Sequence, residues 1–541
     1  MRFYFLIAAA AVASGAAPAS AQTLWFEGGE SGLAGVIDGT SSGYPLLQDS
    51  VVAEGRYAFH LANPNATTEW FVVDPDVSPL ADSKLFFLSR LGGATSEQTA
   101  RVEVSTNGGG SWSPIYTQPG AGYPGEGAFS QRAVDLAPYA GLDVSLRFGM
   151  HFSVGTYFPQ SSVDAGWIVD SIQIGDTPQK LRYAIGEPTA KEQLMLEHVN
   201  RSRADALAEA QRLAGSTDPD ITSAMQYFGV TPQGLVSSFQ DNVSSGLIDR
   251  HAQPLAFEGA LVEAARLHSQ DQLENAFQGH YSSSDPPAPF LPGYSPTARV
   301  RALGYASGVA ENVYAYGESV EHAHAGFDID WGVPSLGHRI TIHNDVYKEV
   351  GIGIVEGRNG QVGPLAVTQN FGAPRGVAYI TGVVFEDLDG DAFYDEGEGR
   401  GGVTVDVVGS PYFAVTSDSG GYAVPVSADG SYQVSFSGGG FEDYFVPTSI
   451  AGLRNTKVDY LAVVASGLAG DFNNDGRVDA ADYTVWRDAL GAEYGAADYQ
   501  TWAAAYGRAE PSATVPEPGA AALAAAGVAA LVVRRVRRAN A

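Results

Sequence analysis

The sequence predicts a multidomain protein: a jelly-roll-like β-sandwich, an α-β-α sandwich, a small second β-sandwich, a helical pair and a C-terminal transmembrane helix. Short, alternating apolar runs with no helical stretch fill residues 22–176 and favour the first sandwich. Helical periodicity dominates residues 190–373, which end in two β-prone runs, as a layered α/β domain would. Beyond them, β-prone runs at 377–465 precede a repeated helical unit at 470–507 and an apolar tail at 515–538.

Charge and cysteine content exclude several classes of protein. The 541 residues contain 31 Lys and Arg against 61 Asp and Glu, which gives a net charge of −30. So acidic a chain does not suit nucleic acid as a partner and favours a soluble exterior protein that binds cations. Because the sequence has no cysteine, disulfides, thiol catalysis and cysteine-ligated zinc are excluded.

The N-terminus has the pattern of a secretory signal peptide. Arg2 precedes an apolar run from Phe3 to Ala13, and Ala19-Ser20-Ala21 supplies small residues for cleavage. We therefore expect residues 1–21 to be removed and the mature chain to begin at about Gln22.

The tail at 515–538 joins Val515-Pro-Glu-Pro518 to fifteen uncharged residues and then to an arginine cluster. Fifteen helical residues span about 22 Å, which is short of a hydrocarbon core of about 30 Å. The tail resembles the PEP-CTERM sorting signal that exosortases of Gram-negative bacteria cleave. This resemblance implies export, transient membrane anchoring, an exosortase-type enzyme as partner, and a mature protein at the cell surface or in the extracellular matrix. A simple tail anchor is the alternative.

In the first sandwich, Asn107-Gly-Gly-Gly110 is a turn signal between two β-prone runs. With VEVSTNGGGSWSPIY around this turn and WIVDSIQIGD further on, the region resembles the jelly-roll accessory domains of secreted peptidases and adhesins, in the manner of MAM domains. Its three central tryptophans could line a carbohydrate-binding face or pack in the core, and packing is favoured. They are Trp70, Trp112 and Trp167.

The central region contains two segments of helical periodicity. Apolar residues recur at helical spacing over Lys191–Gly215 and again over Leu261–Leu273. Between them, Ser216–Pro254 is polar and partly helical, so it shapes the rim of a pocket or extends the surface. The β-prone runs Glu349–Val355 and Leu365–Phe371 follow.

Three side chains of this region suggest a chemical site. His280, Glu311 and His338 each lie beside a glycine or at the start of an apolar run. Two imidazoles and a carboxylate are what a divalent-metal or acid/base pocket needs, if folding brings them together. The other histidines considered fit structural roles better: His268, His322, His324 and His343.

The order of motifs in the central region resembles the CAP superfamily of cysteine-rich secretory proteins, antigen 5 and pathogenesis-related proteins. A helix carrying AARLHSQDQ, an F-x-x-H, the run ENVYAYG, a GHR turn, EVGIGIV and TQNFG occur in the family's order between Leu196 and Gly372. The resemblance implies an α-β-α sandwich. Many eukaryotic members rely on disulfides, and this chain departs from them there.

The CAP resemblance also implies a pocket of two histidines and two acidic residues. His280, Glu311 and His338 match three of these positions. A pocket with two imidazoles and carboxylates could bind Zn²⁺ or Mg²⁺ through these three residues, or hold water for hydrolysis. For the fourth position, Asp330 is the candidate, with Asp328 and Glu321 as rivals. The four candidate catalytic residues are therefore His280, Glu311, Asp330 and His338.

An acidic loop follows in the second sandwich. Ca²⁺ takes six to eight oxygen ligands, and alternate residues of a tight loop can converge on one ion. Together with ITGVVFEDLDGD and EGEGRGGVTV, the loop resembles the calcium-binding B-type repeats of Gram-positive surface adhesins. A solvated acidic loop without metal is the alternative. The expected ligands at loop positions 1, 3, 5, 9 and 12 are Asp387, Asp389, Asp391, Asp395 and Glu398.

A second candidate calcium loop begins at Asp471 and has Gly476 at its sixth position, where the turn needs glycine. ADYTVWRDALG recurs as ADYQTWAAAYG sixteen residues later, so loop and helix are duplicated and resemble a type I dockerin. In the second copy, the positions before Asp498 hold Arg, Ala and Gly, and we expect no metal there. The first copy supplies six expected ligands: Asp471, Asn473, Asp475, the carbonyl of Arg477, Asp479 and Asp482.

Three functions remain open. The sequence contains no nucleophile elbow, phosphate loop, HExxH or dinucleotide fingerprint. The leading hypothesis is an exported, surface-sorted protein whose His/acid pocket binds a divalent metal and a small or lipidic ligand. The second is a metal-dependent extracellular hydrolase acting on protein or polysaccharide, with calcium-stabilised targeting modules. The third is a structural adhesin of the cell surface or biofilm matrix.

Overall fold

A computed structural model describes residues 23–41, 43–53, 55–75, 77–159, 162, 165–305, 307–439, 443–462, 469–473, 477–491 and 494–508. The chain divides into two compact units, one ending at Ala462 and the other beginning at Val463. Within the described ranges, no helix is both long and apolar enough to cross a membrane. The expected signal peptide and sorting tail lie outside these residues, as do Asp475 and Gly476.

The first eleven strands form a sandwich of two antiparallel sheets, which confirms the predicted β-sandwich. One sheet has the order β3-β4-β11-β6-β9, with β1 beside β11, and the other has the order β2-β5-β10-β7-β8. The strands are Thr23–Glu27 (β1), Val36–Asp38 (β2), Leu47–Gln48 (β3), Ala58–Leu61 (β4), Glu69–Val73 (β5), Lys84–Leu91 (β6), Gln98–Ser105 (β7), Ser113–Pro119 (β8), Ser130–Asp135 (β9), Ser145–Phe152 (β10) and Trp167–Gly175 (β11).

Tryptophans of this N-terminal sandwich differ in environment. Trp167 is fully buried among Phe87, Phe148 and Tyr116, and its indole N–H donates to Ser89 Oγ at 2.9 Å. It therefore packs in the core, as the favoured interpretation expects. Trp70 and Trp112 are half-buried and both contact the Arg147 guanidinium, at 5.8 and 4.5 Å from their ring centres.

Helices and a four-stranded sheet follow, and we call them the layered domain. The helices are Ala190–Ala204 (α1), Ala206–Ala214 (α2), Pro219–Tyr227 (α3), Pro232–Ser245 (α4), Gly259–Glu274 (α5), Pro296–Ala302 (α6), Val320–Ile329 (α7) and Gly337–Ile342 (α8). The strands Ala256–Phe257 (β13), Gly308–Gly317 (β14), Glu349–Glu356 (β15) and Leu365–Ala373 (β16) pair in the order β13-β15-β16-β14.

Strand β15 shows why helices cover both faces of this sheet. Alternate residues of a strand point to opposite faces. Val350 and Ile352 join a buried cluster with Met195 of α1 and Phe327 of α7. The intervening Gly351 and Gly353 lie directly against the backbone of α5. Helix α5 thus covers one face of the sheet and α1 and α7 cover the other.

The segment Lys191–Gly215 is two helices rather than the single helix that its periodicity predicts. Asp205 has an extended backbone (φ −155°) and its side chain accepts from the backbone N–H of Leu207 at 3.0 Å. This N-cap begins α2 and ends α1, because Asp competes with helix continuation by bonding its own backbone. The pattern of apolar residues alone could not reveal the break.

Strands after the layered domain form the C-terminal sandwich, again as predicted. They are Ala378–Phe385 (β17), Val403–Val407 (β18), Tyr412–Val415 (β19), Gly421–Val426 (β20), Gly430–Gly438 (β21), Tyr444–Ile450 (β22), Thr456–Lys457 (β23) and Tyr460–Leu461 (β24). A short strand from before α1, Leu181–Arg182 (β12), pairs in parallel with β19. The order of that sheet is β12-β19-β18-β21-β22, so the segment linking the first two domains completes the third.

Among its described residues, the second compact unit has two helices, Ala480–Asp488 (α9) and Ala496–Ala505 (α10). The indole of Trp486 in α9 donates to the carbonyl of Gly495, the residue that precedes α10, at 2.9 Å. Trp502, sixteen positions later, donates to the carbonyl of Asp479, the residue that precedes α9, at 2.8 Å. The repeated sequence therefore folds as a reciprocal pair, in which each helix holds the start of the other.

Gly351 tests the close packing of sheet and helix. A Cβ at this position would lie 1.9 Å from the backbone carbonyl carbon of Leu261, whereas a Cβ at Gly308 of β14 would meet nothing within 4 Å. We expect Gly351→Ala to lower the free energy of unfolding by about 1–3 kcal/mol or more. Gly308→Ala is the matched control and should change it little. Chemical denaturation measures both, and equal stabilities would contradict the packing.

Candidate functional site

The candidate histidines and acids of the layered domain form two separate pairs. His280 lies in the segment after α5, and Glu311 lies in β14. Asp330 ends α7 in a left-handed conformation (φ 59°), and His338 lies in the first turn of α8. Each histidine therefore meets its acidic partner from a different element.

In the first pair, His280 Nδ1 lies 3.0 Å from Glu311 Oε1. The imidazole is half exposed, at 51 % of its side-chain surface, whereas the carboxylate is buried. The other oxygen of Glu311 accepts from the buried Arg299, which also donates to the carbonyl of His280 at 3.0 Å. His268 Nε2 is 4.0 Å from Glu311, and burial lowers the pKa of His268 despite this neighbour. Glu311 is thus held by its neighbours and orients His280.

In the second pair, Asp330 binds His338 twice. Its Oδ1 lies 2.7 Å from His338 Nδ1, and its Oδ2 accepts from the His338 backbone N–H at 2.9 Å. The rivals for this position are occupied elsewhere. Asp328 is buried against His343 at 2.8 Å, and Glu321 pairs with Arg212 at 2.9 Å.

Asn312 connects the two pairs. It follows Glu311 in β14, and its amide donates to the carbonyl of His338 at 3.3 Å and to Gln369 Oε1 at 3.2 Å. Asn312 Oδ1 and Gln369 Nε2 are buried with no hydrogen-bond partner among the described residues. Buried polar atoms of this kind suit a water molecule or a polar ligand.

Both imidazoles are arranged as in many metal sites. A metal-ligating histidine usually gives its second ring nitrogen to a carboxylate, which fixes its orientation. With Nδ1 of His280 and of His338 on carboxylates, the Nε2 atoms remain for a metal. In that arrangement Glu311 and Asp330 would orient the imidazoles, and the expectation that Glu311 is itself a ligand stays a prediction.

Within the described residues, two groups of three ligand-type side chains converge, each to within 4.8 Å, and neither contains His280, Glu311 or His338. One is the buried set Glu209, His324 and Asp328. Arg201 and Arg212 both pair with Glu209, at 3.1 and 2.7 Å. Two guanidinium groups already neutralise that carboxylate, so this cluster is an internal ion-pair network rather than a cation site.

The second converging group is Asp387, Asp389 and Asp391, in the acidic loop 387–398. Asp387 caps the turn by accepting from the N–H groups of Gly390 and Ala392, at 2.8 and 3.0 Å. Three of the five expected calcium ligands are therefore brought together, all of them at least partly exposed.

The other two expected ligands of the acidic loop have different surroundings. Glu398 is buried, and its oxygens accept from the N–H groups of Leu388 and Asp395 at 2.7 and 2.8 Å, which closes the loop. Partial burial and the neighbouring Asp391 and Glu398 carboxylates raise the pKa of Asp395. Negative charge is thus crowded within the loop.

The acidic loop also docks on helix α1. The ring of Phe393 stacks on His198 at 5.3 Å, and the guanidinium of Arg201 lies 4.4 Å from the same ring. Glu396 pairs with Lys191 at 2.9 Å. The loop therefore joins the C-terminal sandwich to the layered domain.

In the second compact unit, Asp482 organises the start of α9. Its Oδ1 accepts from the N–H groups of Phe472 and Asn473, at 2.8 and 3.1 Å, and its Oδ2 accepts from Asp479 at 2.7 Å. Burial opposes ionisation, but these donors outweigh it and lower the pKa of Asp482. Asp471 is also buried. Asp479 caps α9, because its side chain accepts from the N–H of Ala481. The remaining expected ligands are Arg477, which is described, and Asp475, which is not.

The chain matches no protein-family model, and no curated protein is significantly similar to it in sequence. Several solved structures are similar to part of this chain. The K3 cleaved adhesin domain of Lys-gingipain from Porphyromonas gingivalis is 14% identical and covers 28% of this chain and 99% of its own, with a TM-score of 0.23. The CBM22-2 xylan-binding domain from Paenibacillus barcinonensis is 11% identical over 28% of this chain and 99% of its own, with a TM-score of 0.21.

A type II cohesin-X-dockerin complex from Acetivibrio cellulolyticus is 18% identical over 24% of this chain and 97% of that chain, with a TM-score of 0.14. Each of these likenesses concerns only a part of the chain. TM-scores this low establish neither a family nor an activity, so function must be argued from the residues themselves.

Arg299 tests the role of Glu311 as a held partner. Both side chains are buried, so removing the guanidinium leaves a buried carboxylate without its cation. We expect Arg299→Ala to lower the free energy of unfolding by about 3–5 kcal/mol. Arg301→Ala, on the exposed side of the same helix, is the matched control and should change it by less than about 0.5 kcal/mol. Similar losses in both variants would contradict the arrangement.

Proposed function

We propose that this chain is an exported structural protein of the cell surface or extracellular matrix, of the adhesin type, whose domains are joined by a calcium-stabilised loop. One observation carries the proposal: the acidic loop gathers three carboxylates and at the same time docks Phe393 on α1. A cation bound there would act on the junction between two domains as well as on the loop.

The charge of the loop supports a bound cation. Asp387, Asp389 and Asp391 repel one another when no ion is present, and Asp395 and Glu398 add to that repulsion. Ca²⁺ is a hard cation that prefers such oxygen ligands, and millimolar calcium outside cells is enough for weak extracellular sites. Binding of Ca²⁺ would offset the repulsion between these carboxylates and stabilise the loop.

Export and surface sorting rest on the two ends of the sequence. The signal peptide pattern at 1–21 and the PEP-CTERM-like tail at 515–538 support secretion followed by exosortase processing. A net charge of −30 fits a soluble surface protein in a calcium-containing medium. The resemblance of the acidic loop to adhesin B-type repeats and of 470–507 to a dockerin fits the same proposal.

Calcium removal tests the proposal. An ion that binds only the folded state adds about 2.7 kcal/mol at a hundredfold excess over its dissociation constant. We expect the mature chain to melt at a clearly lower temperature in chelator than in millimolar calcium, and Asp389→Ala to remove part of that difference. Asp443→Ala, an exposed carboxylate elsewhere in the C-terminal sandwich, should keep the full difference. Identical melting curves with and without chelator would refute the calcium role.

A second function is favoured by the orientation of the two histidines. With Nδ1 of His280 and His338 fixed on carboxylates, the layered domain could bind Zn²⁺ or Mg²⁺ through Nε2 and present it to a small, lipidic or polymeric ligand. This is the pocket that the CAP resemblance implies, and it is also where a metal-dependent hydrolase would act.

Zinc titration separates this pocket from the structural role. If the pocket binds metal, His280→Ala combined with His338→Ala should abolish zinc uptake while the protein stays folded. His251→Ala, an exposed histidine outside the pocket, should titrate like the wild type. Calorimetry measures all three proteins. Unchanged zinc binding by the double variant would exclude these histidines as ligands.

A further inference from the structure

A large cavity lies where the N-terminal sandwich, the layered domain and the C-terminal sandwich meet. Its volume is about 990 Å³, and it is lined by segments of all three domains. Small-molecule sites commonly occupy 300–1,000 Å³ and occur preferentially between domains. None of the residues assigned above to the His-acid pairs or the calcium loops lines this cavity.

Aromatic side chains from each domain reach the junction cavity. Tyr183, in the segment before α1, is half-buried, with its ring 5.9 Å from Tyr379 and 6.0 Å from Tyr412. Tyr123 and the half-buried Phe129 come from a loop of the N-terminal sandwich, and Tyr123 is 72 % exposed. Aromatic side chains of different domains thus line one cavity.

Two carboxyl groups lie among these rings. Glu349 is 3 % exposed and accepts from the hydroxyls of Tyr305, at 2.6 Å, and of Tyr379. Burial and the nearby Glu258 raise the pKa of Glu349 to about 7. Glu258 is half-buried, and one of its oxygens accepts from the N–H of Leu261 at the start of α5. A carboxylate has about four acceptor positions, so Glu258, which lines the cavity, can accept a further hydrogen bond.

Three further charged groups of the cavity have partners within the protein. Lys348 donates to the carbonyls of Val377 and Leu453, at 2.7 and 2.6 Å. Glu126 pairs with Arg132 at 2.5 Å, and Asp345 pairs with Arg454. The lining contains both signs of charge, so it selects neither a strongly anionic nor a strongly cationic ligand.

We propose that the junction cavity binds a neutral polyhydroxylated ligand, a saccharide, with a sugar ring on the exposed Tyr123 and a hydroxyl group donating to Glu258. Aromatic faces contact the apolar face of a sugar ring, and carboxylates accept from its hydroxyls. Because the walls belong to three domains, an occupied cavity also ties those domains together. This site is independent of the calcium loop and of the two histidines.

Binding to neutral oligosaccharides tests the proposal with the full mature chain. The probes are xylohexaose, cellohexaose, maltohexaose and chitohexaose, titrated by calorimetry, with tetramethylammonium as a cationic comparison. We expect at least one saccharide to bind, and Tyr123→Ala and Glu258→Gln each to weaken it by about tenfold. Tyr227→Ala, an 83 % exposed tyrosine outside the cavity, should bind like the wild type.

Several outcomes would overturn the proposal. They are the absence of binding to all four saccharides, binding of the ammonium ion alone, and saccharide binding that neither cavity variant weakens. Tyr123 is on the exposed rim, so its replacement leaves the core intact and a loss of binding cannot come from unfolding. Circular dichroism of each variant confirms the fold before titration.

Discussion

The buried carboxyl group of Glu349 is the constraint on which the rest of the main unit depends. It begins β15 of the central sheet and accepts hydroxyl hydrogen bonds from Tyr305, just before β14, and from Tyr379, in β17. Strand β14 then carries Glu311 and Asn312 toward the two histidine pairs, while β17 leads into the acidic loop. A polar group this deeply buried is tolerated only when it is hydrogen-bonded. The same bonds connect β15 with the segment before β14 and with β17, and all three residues line the junction cavity.

The local sequence pattern predicted the helices and strands of this protein better than the contacts between them. The alternation of apolar and polar residues over β5, β6, β7 and β10 predicted the first sandwich, because one face of each strand must contact the core. Gly351 and Gly353 can be seen in the sequence, but the close approach of α5 that requires glycine at these positions cannot. Asp205 ended a helix that periodicity had continued, since capping depends on one backbone conformation. The contact of Phe393 with α1 joins residues almost two hundred positions apart, which no local pattern encodes.

The candidate site shows the same division. His280, Glu311 and His338 were found from motifs, and the structure gives each histidine a carboxylate partner. Asp330 could not be separated from Asp328 by spacing, because the choice depends on the left-handed turn that ends α7. In the sequence, Arg299 cannot be told from any other arginine of a helix, although it forms a buried ion pair with Glu311. In the structure Glu311 contacts His280 and Arg299, and its role as a metal ligand stays a prediction.

A calcium site at the acidic loop and a zinc site at the histidines need different ligand atoms, because hard carboxylate oxygens and neutral imidazoles select different ions. The metal content of the mature chain, measured after equilibrium dialysis against a buffer that contains calcium at about 1 mM together with zinc, tests the central claim most directly. A structural surface protein held by its acidic loop should bind calcium at one or more ions per chain. A chain that retains zinc but no calcium would contradict this account.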